Sequence, residues 1–163
     1  MVINSVQRVG INMRYATVLA VLLMTGCAST FRVPPSGTDF TLDWCTPLLN
    51  CVSSTSSIFI YRVDPIQLTS TLDEGSWETI RSVATDLPGA SVNEARFGYL
   101  DITCFSYVFH FPDYLEILVR EDRKSLDVRS QSLLGIYDLG VNRRRVETLR
   151  RKLAERGVAE FSE

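Results

Sequence analysis

Between residues 76 and 89 the apolar positions recur at helical spacing. Trp77, Ile80, Val83, Ala84 and Leu87 share one face, Ser76 is placed to cap the start, and Pro88-Gly89 marks the stop. Upstream, the β-branched and aromatic run over 58–63, ending near Pro65, predicts a strand. From Ala90 the period changes to two: Leu100, Ile102 and Cys104 alternate with Asp101 and Thr103, and Leu115, Ile117 and Val119 alternate with Glu116 and Arg120. Breaks at Gly98, at Pro112-Asp113 and over 121–124 divide this region into four strands, the last over 125–130. After a loop over 131–141, Asn142 is placed to cap a second helix with Val146, Leu149 and Leu153 as its apolar stripe and Gly157 as its end. The pattern predicts one α+β domain, an antiparallel sheet of about four to five strands with two helices packed on one face.

The amino terminus has a different pattern. Residues 15–24 read Y-A-T-V-L-A-V-L-L-M without a charge, preceded by Arg14 and followed by Thr25, Gly26 and Cys27. A membrane-spanning helix needs about 20 apolar residues, roughly twice this run, so the segment reads as the core of a signal peptide. Met13 followed by Arg14 would itself make a compact start, which leaves open whether residues 1–12 are an over-extension. The ending L-L-M-T-G-C resembles the lipobox of bacterial lipoproteins, which implies that Cys27 receives diacylglycerol and palmitate; an ordinary secretory cleavage nearby is the alternative. Met24 stands where Leu is usual, and Ala28, in place of an Asp, implies outer-membrane delivery. The expected division is therefore a signal peptide over 1–26, a lipidated tether over 27–39 containing Pro34, Pro35, Ser36 and Gly37, a globular domain over 40–157 and a tail over 158–163.

Composition adds an exclusion. The chain has 163 residues, 45% hydrophobic and 22% charged, which is ordinary for a globular domain and excludes a disordered or collagen-like chain. With 17 basic and 19 acidic residues the net charge is −2, so the molecule as a whole has no electrostatic attraction to nucleic acid, and none is expected as a partner.

With Cys27 assigned to lipid, Cys45, Cys51 and Cys104 remain. In an oxidising envelope Cys45 and Cys51 can close a small disulfide loop. Cys104, on an alternating strand, reads as a small buried hydrophobe. The only histidine, His110, is on a separate strand candidate, so no metal site and no cofactor are expected.

Three further motifs carry a resemblance. N-C-V-S-S over 50–54, F-P-D-Y-L-E over 111–116 and R-S-Q-S-L-L-G-I-Y-D-L-G-V-N-R-R-R-V-E over 129–147 make the chain similar to the domain of unknown function numbered fourteen ninety-nine, across residues 45–153. That family has no assigned reaction. It typically carries a second Asp where Tyr114 stands, a second Arg where Leu133 stands and a Ser where Tyr137 stands.

Within the last motif, Arg143, Arg144 and Arg145 oppose the positive end of the helix they begin, so a compensating anion is expected. Arg129, Ser130, Ser132, Asp138, Asn142, Arg143 and Arg145 form the candidate cluster, with Arg129, Arg143 and Arg145 expected to converge near the loop before the helix. Its two readings are an anion-binding site and a set of structural ion pairs, with Asp113, Glu116 or Asp138 supplying the acid and Asp138 expected to neutralise one Arg. The basic residues over 150–156 read as an exposed face.

Enzymatic signatures are missing: there is no G-x-S-x-G, no H-E-x-x-H and no G-x-x-x-x-G-K. Asp113 and Glu116 are weak catalytic candidates that would need opposed placement across a cleft, and they read more simply as surface or structural acids. The leading expectation is a non-enzymatic binding or maintenance lipoprotein, lipid-anchored on the periplasmic face of the outer membrane, with an anionic envelope ligand or an envelope protein as partner. The alternatives are a small envelope hydrolase using these acids and an adaptor for a protein assembly.

Overall fold

A computed structural model describes residues 41–45, 47–106 and 110–161. The expected signal peptide, the expected lipidation site Cys27 and the expected tether lie outside these residues. The strands are β1 (Cys51–Ser53), β2 (Ile66–Gln67), β3 (Ala90–Arg96), β4 (Tyr99–Phe105), β5 (Pro112–Val119) and β6 (Ser125–Ser132); the helices are α1 (Glu74–Thr85) and α2 (Val141–Glu155). They form one α+β domain around a six-stranded antiparallel sheet in the order β1-β6-β5-β4-β3, with β2 also paired to β6.

Register sorts the sheet residues into two faces. Ile102 faces Leu115, which faces Ser130, and Leu100 faces Ile117, which faces Val128. The alternate set, Tyr99, Glu116, Leu118, Arg129 and Gln131, points the other way. On the first face lies the core: Leu100, Ile102, Leu115, Ile117, Leu126 and Val128 join one buried cluster with Trp77, Ile80 and Val83 of α1 and Val146, Leu149 and Leu153 of α2. Cys104 belongs to it as well, buried as a small apolar side chain; burial pushes its thiol pKa up and keeps it protonated. Among the described residues, the second face has a small cluster of Leu42, Tyr99 and Leu118.

The sheet exceeds the expected four to five strands because β1 and β2, three and two residues long, are too short to show alternation. They lie end to end along the outer edge of β6, Cys51 opposite Gln131 and Ile66 opposite Leu126. The run over 58–63, expected as a strand, instead forms a 3-10 turn at Phe59–Tyr61. β1 and β2 already occupy the β6 edge, so the apolar run between them has no ladder to join. Only an isolated bridge links Arg62 to Ser53.

Both helix starts differ from expectation. Asp73, not Ser76, caps α1: its side chain accepts the Ser76 N–H at 2.8 Å while Ser76 Oγ accepts the Asp73 N–H at 2.9 Å, a reciprocal capping box. α2 begins after Gly140 in the left-handed region (φ 76°), and Asn142 lies inside the helix, fully buried. His110 is outside the strands, with φ 50°. Past Gly157, where a tail was expected, residues 158–160 stay on the domain. Ala159 is buried and bridges Leu68, and the Thr69 N–H donates to the Val158 carbonyl at 3.0 Å.

Candidate functional site

The cluster read from the third motif divides between the two faces of the sheet. Arg129 and Ser130 are consecutive on β6, and Asp113 and Glu116 are three apart on β5, so each pair splits across the sheet. The expected convergence of Arg129, Arg143 and Arg145 therefore does not occur.

On the helix face, Arg145 is the centre. Its Nη2 donates to Asp113 Oδ2 at 2.5 Å, and its Nη1 donates to Ser130 Oγ at 3.0 Å and Asn142 Oδ1 at 2.5 Å. The Asn142 amide Nδ2 faces the Asn50 carbonyl, Ser132 Oγ and Asp138 Oδ2, all within 2.9 Å. Asn50 ties the next loop, donating from Nδ2 to the carbonyls of Ser132 at 3.2 Å and Gly135 at 2.6 Å. Gly135, at φ 87°, turns the backbone toward it. The motif residues thus join β1, β5, β6 and α2 through one buried polar network.

Asp138, expected to neutralise an arginine, caps α2 instead. Its two oxygens accept the N–H groups of Gly140 at 2.8 Å and Asn142 at 2.9 Å. A carboxylate there supplies the negative charge that the helix start and its arginines require.

On the other face Arg129 Nη1 donates to Glu116 Oε2 at 2.6 Å, and its Nη2 reaches Gln131 Oε1 and, at 3.4 Å, the Trp44 carbonyl. Arg129 Nε is buried without a hydrogen-bond partner among the described residues. Tyr99 Oη donates to Glu116 Oε1 at 3.2 Å, and burial, then the Glu116 carboxylate, push its phenol pKa far above the ordinary value. Above this pair lies the segment 41–45, where Leu42 packs on Tyr99 and Leu118 and the Cys45–Cys51 disulfide ties the segment to β1.

Asp113 and Glu116 are accordingly buried ion-pair members and not surface acids. Lying on opposite faces of one strand, they cannot flank a common substrate. Arg143 belongs to neither network. It is exposed, its Nη2 donates to the Ile60 carbonyl at 3.2 Å, and it has no carboxylate partner among the described residues. Arg150, expected on an exposed face, is buried and donates to the carbonyls of Asp64 at 2.5 Å and Pro65 at 2.9 Å, holding α2 against the start of β2. Sequence reasoning missed this residue because its charge masked its place one position beyond Leu149 on the buried stripe.

Among the described residues no group of three or more His, Cys, Asp and Glu side chains could hold a metal ion, and no helix is long and apolar enough to cross a membrane. No curated protein matches the chain, and no solved structure matches it. A family model described as "Protein of unknown function (DUF1499)" matches residues 41–153. That span contains Asn50, Asp113, Glu116, Arg129, Asp138, Asn142 and Arg145, and the chain belongs to the DUF1499 family.

Proposed function

We propose that the protein is a non-catalytic binding module of the bacterial envelope, anchored through lipidated Cys27 at the periplasmic face of the outer membrane and recognising an anionic envelope component. The observation that carries the binding reading is the fate of the motif charges: Asp113 and Glu116 are each engaged by a buried arginine, on opposite faces of the sheet. A hydrolase needs a free acid and base facing one substrate, and these two acids are arranged to hold strands and helix together. Charge left for a ligand is at Arg143 and its neighbours, outside both networks. The anchor rests on L-L-M-T-G-C at the end of a short apolar run, and a disulfide between Cys45 and Cys51 suits an oxidising compartment.

Labelled palmitate tests the anchor directly. The wild-type chain should incorporate label and fractionate with outer membranes, and Cys27→Ala should do neither while retaining its fold by circular dichroism. A wild-type chain without label in the soluble fraction would refute the anchored module.

A further inference from the structure

Two neighbouring recesses outside the buried networks share Ile60 and Arg143. One, of about 150 Å³, is lined by Leu49, Tyr137 and Gly140 besides these two; the other, of about 600 Å³, adds Phe59, Arg62 and Glu147. The apolar side chains here are turned outward: Phe59 is 89% exposed and Tyr137 60%, and the adjacent Ile136 and Leu139 are exposed as well. They come from separate parts of the chain, the 3-10 turn and the loop before α2, which the Leu49–Tyr137 bridge and the Arg143 to Ile60 bond hold together. Several large apolar groups exposed in one place mark a contact surface and not the scattered exposure usual on soluble domains.

The charges around the patch select its occupant. Arg62, Arg143 and Arg144 are exposed and have no carboxylate partner among the described residues; of the acids here, Glu147 is engaged by Arg150 at 3.1 Å and Asp138 by the start of α2, which leaves the exposed Asp64 of the larger recess as one acid against three arginines. This end is basic on a molecule of net charge −2. Protruding aromatic and aliphatic side chains rimmed by arginine match a phospholipid surface, with the apolar groups entering the acyl boundary and the guanidinium groups meeting phosphate.

We infer that this face, formed by the turn at Phe59–Tyr61, the loop at Ile136 to Leu139 and the rim of Arg62, Arg143 and Arg144, docks on an anionic phospholipid bilayer. The inference deepens the anchored reading and rests on it for proximity to the bilayer. The 14 residues from Cys27 to the first described residue can span at most roughly 50 Å, so a lipidated chain keeps this face at high local concentration over the membrane.

Tryptophan depth quenching in the full chain tests the docking. Phe59→Trp, Leu139→Trp and, as a control on the exposed face of α1, Glu78→Trp are each bound to phosphatidylglycerol–phosphatidylethanolamine vesicles carrying bromine in the acyl chains. The expected result is quenching at positions 59 and 139 above the baseline of Trp44 and Trp77, none at 78, and its loss when Arg143→Glu and Arg144→Glu are combined. Circular dichroism and the melting temperature of the double variant, read beside the quenching, separate loss of docking from unfolding. Absence of added quenching at 59 and 139, or quenching unchanged by the double reversal, overturns the inference. So does blue-shifted emission from these positions before vesicles are added, since another part of the chain then covers the patch. Vesicle flotation keeps the two readings apart: a chain that floats with both probes in water loses only the docking face, and one that does not float loses the anchor as well.

Discussion

At the residue scale, two buried ion pairs dominate, and their energetics follow from what is left behind when one partner is removed. Asp113 and Arg145 have side chains 5% and 11% exposed, so Arg145→Ala would leave a carboxylate out of water without a counter-charge. That should cost about 3–5 kcal/mol by urea unfolding, whereas Asp113→Leu combined with Arg145→Met should recover most of the loss, because an apolar pair avoids desolvation altogether. Arg143→Ala, whose guanidinium is in solvent, should leave stability nearly unchanged. Equal losses at Arg143 and Arg145 would contradict the division of the cluster into a structural and a free arginine. On the other face Tyr99 is the pH-sensitive member. Its phenol pKa is raised by burial and by Glu116, so above the ordinary tyrosine value of 10.0 the unfolded chain loses this proton while the native chain keeps it. Stability from this group is therefore complete below about pH 10 and declines as the pH rises further. Tyr99→Phe should flatten the alkaline limb of a Tm against pH curve, and an unchanged limb would assign the decline to other groups.

At the element scale, both helices depend on an aspartate ahead of their first turn, and the two differ in how visible that was. Asp73 and Ser76 are three apart, a spacing that belongs to a capping box, yet either residue alone is an acceptable cap and local sequence does not rank them. The Asp73 carboxylate is held below its ordinary range chiefly by the Ser76 N–H and hydroxyl, so its stabilisation is present above about pH 4 and is lost as the pH falls through the lowered native value. At α2 the capping carboxylate is three residues ahead of the first helical residue, and Gly140 takes the left-handed φ that lets Asp138 reach back. Asp138→Ala should cost on the order of 1–2 kcal/mol and Gly140→Ala should also destabilise, since an added Cβ would meet Arg144 Nη1 at 3.2 Å in a backbone conformation that L residues avoid. Equilibrium unfolding of both variants checks this, and two wild-type curves would remove Asp138 from the capping role. The elements legible in the sequence were those with enough turns or alternations to establish a period: both helices and the four strands from Ala90 to Ser132. β1 and β2 were not, being ladder segments whose existence depends on the edge of β6 and not on their own composition. The candidate site was legible as a list of residues but not as a geometry. Arg129 and Arg145 are close to the same loop in sequence, and only the strand's alternation, carried from Arg129 to Ser130, sends one to each face.

At the scale of the whole molecule, the sheet separates an apolar face covered by helices from a polar face on which Arg129, Glu116, Gln131 and Tyr99 are buried beneath a short segment. Residues 41–45 contribute little core there: Leu42 is buried with Tyr99 and Leu118, Trp44 supplies a carbonyl to Arg129 while the residue as a whole is 90% exposed, and Cys45 is bonded to Cys51. Such a strap has few apolar contacts to resist local opening, so the covalent tie substitutes for a packed interface. The disulfide joins residues only six apart, and a loop that short limits the chain-entropy contribution to about 2 kcal/mol, while β6 stays paired on both sides without it. Breaking the bond in Cys45→Ser should therefore act locally. Limited proteolysis should cut sooner within residues 41–45, the amides of β5 and β6 should remain slow in hydrogen exchange, and Tm should fall modestly. Water reaching the Arg129–Glu116 pair should then weaken it, so Glu116→Gln should destabilise the Cys45→Ser chain less than it destabilises the wild type. If Cys45→Ser instead speeds exchange across β5 and β6 together, the disulfide supports the sheet itself, and the strap is an integral part of the fold and not a cover over its polar face.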